Sequence, residues 1–247
     1  MLINLDGRRI YYDLNGPSDG QVICFTHSLS SDGGMWAEQL PLLLEAGYRV
    51  LRLDMRGHGG SDPVPGDYTM EQLADDVAAS LDFLGIDKVQ YIGLSIGGMI
   101  GQAFAIKHGS RLISAMFCDT MPCTPEGAVN AWGPRMEAVK SANSVAPIAD
   151  GTMDRWFTPE MKPVGRRSTP RLPERRRLDI SVVRVPFSTM TSSRSCLRFP
   201  PRRWWFAVLT MKARPLTATS RLLNSFQVAA TRKSPTRGIS RMLHIQM

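Results

Sequence analysis

Gly93-Leu94-Ser95-Ile96-Gly97 is a G-x-S-x-G run in which a hydroxyl could act as a nucleophile. Such a serine sits on a sharp turn between a strand and a helix, with its Oγ exposed above the sheet edge. Glycines two before and two after remove the Cβ atoms that would collide where strand and helix meet. The apolar run from Val89 reads as the strand, and Ile96 to His108 reads as an amphipathic helix. The N-terminal amides of that helix point at the reaction centre, where a developing oxyanion is stabilised. The chemistry implied is acyl transfer, which needs a base for the serine and a carboxylate to orient the base.

The elements that position this turn follow from pattern. Asp6-Gly7-Arg8 separates two short alternating runs, Ile3 to Asp6 and Arg9 to Leu14, which is a hairpin signal. Gln21 to Thr26, Tyr48 to Leu53, Val89 to Leu94 and Leu112 to Cys118 are apolar runs of strand length. Such runs suit a parallel sheet buried on both faces. Trp36 to Ala46 reads as a helix ended by Gly47. Thr69-Met70-Glu71-Gln72 is a capping box that opens a helix with Leu73, Val77, Leu81 and Leu84 on one stripe. Strands alternating with helices predict βαβ units and a mostly parallel sheet flanked by helices. In such sheets the chemistry gathers at the carboxyl ends of the strands. His27, Asp54, Ser95 and Asp119 all fall at those ends.

The chain has 247 residues and a net charge of +8. That charge is divided unevenly. Residues 1–160 carry 11 Lys+Arg against 20 Asp+Glu, a net of −9. Residues 161–247 carry 19 Lys+Arg against 2 Asp+Glu, a net of +17. A globular chain rarely changes composition so sharply, so the two parts need separate readings. No run of 18 apolar residues suggests a membrane span, and Met1-Leu2-Ile3-Asn4 does not resemble a signal peptide. Cys24, Cys118, Cys123 and Cys196 follow no metal spacing. Cys24 and Cys118 lie in apolar runs, as reduced core thiols of a cytoplasmic protein would.

Residues 1–160 resemble the α/β-hydrolase superfamily. His27-Ser28-Leu29 matches the loop that supplies an oxyanion amide, and Arg56-Gly57-His58-Gly59-Gly60-Ser61 resembles its R-G-H-G-x-S loop. HSLSSDGGMW, GLSIGGMIGQ and Asp154 to Glu160 are most similar to 3-oxoadipate enol-lactonases. The resemblance implies an α/β-hydrolase core over 1–120 and the start of a cap over 121–160. It makes Ser95 the nucleophile and the amides of Leu29 and Ile96 the oxyanion hole. His27 and Ser28 are expected beside the substrate, with His27 shaping the loop. Asp119 is a candidate triad acid, weighed against a helix-capping or solvated loop residue. The implied substrate is a small ester or lactone, with no cofactor, no metal, no membrane and no specific nucleic-acid partner. His58 reads as a turn residue, and His108 suits a helix C-terminus.

Residues 161–247 depart from the family pattern. In the family, a later strand ends in a G-x-D-D-like turn carrying the acid, and an A-x-H-x-x-N-like segment carries the base. Here there is no aspartate after Asp179, no glutamate after Glu174, and His244 is the only histidine. A basic segment with Arg202-Arg203-Trp204-Trp205 could bind nucleic acid or an anionic surface. The genetic code supports a different reading. When each codon boundary is moved one base early, Trp204-Trp205-Phe206 becomes Val-Val-(Arg or Cys). Ala207 onward then permits Gly, a small residue, Asp and Asp, and Met211-Lys212 forces Glu. In the same frame Met242 to Met247 permits Ala-Ala-(His or Tyr)-(Ser, Thr or Pro)-(Asn or Asp). The family's acid turn and histidine segment thus recur, in order, in one alternative frame. The leading expectation is that translation leaves the family's frame near residues 161–170, which leaves 161–247 poorly packed and the hydrolase impaired.

Three functions remain open from sequence. The first is an enol-lactone hydrolase of aromatic catabolism. The second is a general carboxylesterase or carbon–carbon hydrolase with the same nucleophile. The third is a non-catalytic protein with a basic anion-binding tail.

Overall fold

The computed structural model describes residues 1–121, 128–159 and 206–209. Its strands are β1 (Leu2–Leu5), β2 (Arg8–Asn15), β3 (Val22–Thr26), β4 (Arg49–Leu53), β5 (Val89–Leu94), β6 (Leu112–Cys118) and β7 (Phe206–Leu209). The helices are α1 (Leu40–Glu45), α2 (Met70–Phe83), α3 (Ile96–Lys107), α4 (Ala128–Ala142) and α5 (Ala146–Trp156). The strands form one sheet in the order β1-β2-β4-β3-β5-β6-β7. β1 pairs with β2, and β2 with β4, antiparallel. The remaining pairs are parallel, including β6 with β7.

The local chemistry matches the pattern read from sequence. Asp6 and Gly7 both take positive φ in the two-residue turn between β1 and β2, as a right-twisted hairpin requires. β3 is buried at every position, as expected for a central parallel strand. The capping box at Thr69 is complete: its side chain accepts from Gln72 N, and the Gln72 side chain accepts from Thr69 N. One expected helix is divided. Gly33–Trp36 is a 3-10 turn and α1 begins only at Leu40, with Pro41 in its first turn. Proline is well placed at a helix start but lacks the N–H that an earlier start would need from it.

The larger core lies between the sheet and α2 and α3, with Leu51, Leu81, Val89, Tyr91, Ile100 and Phe104 almost fully buried. A smaller core on the other face holds Ile23, Phe25, Trp36 and Val50, with Phe25 and Trp36 rings 4.6 Å apart. On that second face Ile92, Leu94 and Met116 are only half-buried, and Ile113 is exposed. α4 and α5 follow β6 and pack on each other, with Val139 and Val145 buried between them.

α3 lies very close to the sheet. A Cβ on Gly101 would collide with the Tyr91 ring and lie 2.7 Å from the Phe117 ring. Both rings are buried and packed on each other, so neither can swing away. Gly101→Ala is therefore expected to destabilise the fold by about 1–3 kcal/mol through overpacking. Urea unfolding followed by tryptophan fluorescence measures this as a lower midpoint with an unchanged slope.

Candidate active site

The site is built around the turn from β5 into α3. Ser95 holds φ +55° and ψ −116°, a strained conformation for a residue with a Cβ. Several bonds maintain it. Ser95 N donates to Cys118 O at 2.9 Å, and Thr120 Oγ1 donates to Ser95 O at 2.8 Å. The Gly97 carbonyl accepts from Tyr91 OH at 2.9 Å and from Thr26 Oγ1 at 3.1 Å. A Cβ on Gly97 would lie 2.6 Å from Thr26 O and 2.8 Å from His27 O, and one on Gly93 would strike the Gly97 carbonyl. The two glycines are therefore what lets helix, strand and the next loop meet. Burial drives the Tyr91 phenol well above its ordinary range, so it stays a neutral donor.

Among the described residues the Ser95 hydroxyl makes no hydrogen bond, and Ser95 is half-buried. Ile96 is the first residue of α3, so its N–H lacks a partner within the helix. With the helix dipole behind it, this amide suits an oxyanion. Leu29 lies on the loop after β3 and is half-buried. Ser28 to Ser31 form a tight turn closed by Ser31 N to Ser28 O at 3.1 Å, with Ser30 at φ +63°.

The expected site residues are brought to one rim unevenly. His27 is fully buried, and both ring nitrogens are occupied: Nδ1 with Ser28 O at 2.8 Å, and Nε2 accepting from Met55 N at 3.0 Å. This arrangement shapes the loop and leaves no ring surface for substrate. Ser28 is also buried, its N–H directed at Met35 Sδ. His58 has Nδ1 on Arg56 O at 2.9 Å and Nε2 accepting from Ser30 N at 3.2 Å. His108 caps the far end of α3, on Asp75 at 2.8 Å, about 20 Å from Ser95 at 1.5 Å per residue. Asp119 is at the rim between Cys118 and Thr120, both tied to the Ser95 backbone. Its side chain is exposed at φ +42° and makes no hydrogen bond among the described residues. His244 and residues 161–247 apart from Phe206–Leu209 lie outside the described residues.

Packing adds residues that sequence reasoning gave no role. Asp54 Oδ1 accepts from Gly33 N at 2.7 Å, and Oδ2 accepts from Gly60 N at 2.9 Å. Arg56 is buried and doubly bonded to Asp76, with Arg8 as a second cation on Asp76. Burial opposes the Arg56 charge, but the Asp76 hydrogen bonds and charge more than offset this and raise its pKa. Asp54 is signalled weakly by its place after a buried strand, whereas nothing local signals a pair 20 residues apart. Two thiols are held toward the protonated form: burial pushes Cys24 up to about 12, and burial with the Asp119 charge pushes Cys118 up to about 11.

Comparison with known proteins agrees with this geometry. The sequence profile of the alpha/beta hydrolase fold family matches residues 21–156. The chain belongs to the alpha/beta hydrolase fold family. It is 35% identical over 160 residues to 3-oxoadipate enol-lactonase 1 of Acinetobacter baylyi, covering 64% of this chain and 58% of that protein. It therefore spans less than three fifths of that relative. The enol-lactonase from Burkholderia xenovorans LB400 superposes with a TM-score of 0.66 at 32% identity, covering 73% of this chain and 70% of that one. A hydrolase from Pseudomonas aeruginosa PA01 superposes with a TM-score of 0.68 at 29% identity, covering 77% and 71%. No helix among the described residues is long and apolar enough to cross a membrane.

The Arg56–Asp76 pair joins the loop after β4 to α2. Asp76→Ala would strand a buried guanidinium and is expected to cost about 3–5 kcal/mol. Asp76→Asn should cost less, because one oxygen still accepts. Thermal unfolding of the two variants against the parent chain measures the difference.

Proposed function

We propose that this chain is a serine hydrolase of carboxylic esters or lactones whose nucleophile is Ser95, with a substrate most like 3-oxoadipate enol-lactone. The observation that carries this is the strained Ser95 at the head of α3, its hydroxyl unengaged beside the Ile96 amide. In the reaction, Ser95 Oγ attacks the acyl carbon and its proton passes to a base. The oxyanion settles on the Ile96 and Leu29 amides. The leaving enol or alcohol oxygen takes a proton, and water then releases the acid by the reverse path. The substrate assignment draws on the relatives named as enol-lactonases. The pair α4 and α5, directly after β6, is read as the beginning of a cap.

Among the described residues no histidine is available as the base. His27 and His58 have both ring nitrogens bonded within the loops, and His108 is a helix length away. We read the acid turn and histidine segment as encoded in the alternative frame, so this chain holds the nucleophile without its activation. Three facts favour that reading. The family match ends at residue 156, the charge balance inverts after residue 160, and the described residues leave Ile92, Leu94 and Met116 only half-buried on one sheet face. β7 lies parallel to β6 at Phe206–Leu209, within the stretch Trp204 to Lys212 whose alternative frame permits the family's strand and acid turn.

Treatment with a fluorophosphonate, mapped by mass spectrometry, is expected to modify Ser95 and no other serine; label elsewhere with Ser95 untouched overturns the assignment. A single-base correction near codons 161 to 170 is expected to raise lactonase or esterase rates by at least about 10³, the scale of completing a triad. Ordinary turnover by the present chain, of order 1–10³ per second, would overturn the frame reading.

A further inference from the structure

We infer that Thr120 is a positioning residue for the oxyanion amide: its hydroxyl holds the Ser95–Ile96 peptide so that the Ile96 N–H stands beside the Ser95 side chain. This rests on the reading of Ser95 as nucleophile and Ile96 as oxyanion donor. Thr120 Oγ1 donates to Ser95 O at 2.8 Å. That oxygen and the Ile96 N–H belong to one peptide unit. The unit is planar and trans, so the oxygen and the N–H point in opposite directions. Ser95 O also accepts from Met99 N at 3.1 Å, one turn along α3. The Ile96 N–H therefore points out of the N-terminal end of the helix.

The strain at Ser95 sets where that N–H lies. At ψ −116° the Ile96 nitrogen nearly eclipses Ser95 Cβ, because a tetrahedral Cα sets Cβ about 120° from N around the Cα–C bond. Side chain and donor thus lie on one side of the elbow, at the cost of an eclipsed bond. Relaxing ψ would separate them, and it would swing Ser95 O away from the Thr120 hydroxyl. The bond from Thr120 opposes this rotation from outside the helix. Ser95 N donates to Cys118 O at 2.9 Å, so the same segment also holds the peptide on the other side of Ser95. Both soft angles of the strained residue are thereby fixed from residues 118–120.

Thr120 is seated for this. A Cβ on Gly98 would lie 2.8 Å from Thr120 Cβ and Cγ2, so Gly98 makes the room in which that side chain lies against α3. The segment is also docked independently of the hydroxyl, by Ser95 N on Cys118 O and by Gln102 Nε2 donating to Met121 O at 3.1 Å. A hydrogen bond received at the carbonyl polarises the peptide and strengthens its N–H as a donor. The hydroxyl thus both aims the amide and sharpens it.

The test uses the full chain and two substitutions. Thr120→Val keeps the shape and removes the donor. Thr120→Ser keeps the donor and removes the methyl that lies against Gly98. In Thr120→Val the amide nitrogen resonance of Ile96 is expected to move upfield, because losing the bond to its carbonyl depolarises the peptide. The Val50 and Tyr91 amides should keep their protection from deuterium exchange. The first-order rate of fluorophosphonate labelling at Ser95 should fall about tenfold, short of the roughly 10²–10³ that loss of an oxyanion donor itself costs. The half-saturating probe concentration should change little. Thr120→Ser should restore both the resonance and the rate. A purely packing role gives the opposite order, with Thr120→Ser slower than Thr120→Val, and overturns the proposal. So does an unchanged Ile96 resonance in Thr120→Val. An unchanged labelling rate there overturns it too, and leaves Ser95 as nucleophile intact. If Thr120→Val loses Val50 and Tyr91 protection, Thr120→Ala takes its place, since it differs from Thr120→Ser only in the hydroxyl. No labelling in any variant or in the parent counts against the Ser95 reading, and the Ile96 resonance with its rescue by serine then decides the role of Thr120.

Discussion

The structure depends on one close approach, that of the first turn of α3 to the ends of β3 and β5. Gly97 has no room for a Cβ against the carbonyls of Thr26 and His27, and Gly93 none against Gly97. This contact forces the chain to reverse within one residue, which places Ser95 at positive φ. The strain is local, but its support is not. Thr26, Tyr91, Cys118 and Thr120 each contribute a hydrogen bond to the backbone of the turn. They come from β3, β5 and β6 and from the residues just after them, so the central sheet must form before the elbow is stable. A strained residue held from three strands is rigid, which suits the nucleophile proposed at Ser95.

Around the elbow, buried polar groups substitute for loop secondary structure. Turns in the loops after β3 and β4 are closed by backbone bonds such as Ser31 N to Ser28 O and His58 N to Met55 O. Four further N–H groups, of Ser30, Gly33, Met55 and Gly60, find His27, Asp54 and His58. These side chains are buried and saturated, which explains why residues of catalytic type act here as scaffolding. Arg56 and Asp76 extend the network to α2. The rim is thereby anchored to the large core, with half-buried Leu29 and Ser95 left at its surface.

The far side of the sheet shows the opposite condition. β3 and β4 are covered by the 3-10 turn and α1, while the equivalent face of β5 and β6 leaves Ile92, Leu94 and Met116 half-buried. A mainly parallel sheet needs cover on both faces. A segment with 19 basic and 2 acidic residues is poorly suited to bury that face.

Sequence alone determined the order and type of most elements, because apolar period, capping chemistry and glycine spacing are local signals. The hairpin at Asp6-Gly7, the capping box at Thr69 and the strand–turn–helix at Ser95 were all legible in that way. The discontinuity of composition near residue 160 was equally plain. Pro41 marked the later helix start, but the apolar period running through Trp36 to Ala46 hid it. Tertiary structure decided which polar residues are free to react. His27 and His58 have the composition of catalytic groups and lie at the catalytic rim, yet packing commits both of their ring nitrogens. Those commitments join residues up to 28 apart in sequence, such as Met55 with His27. No periodicity encodes such a pair, because it exists only once two strands have brought their following loops together.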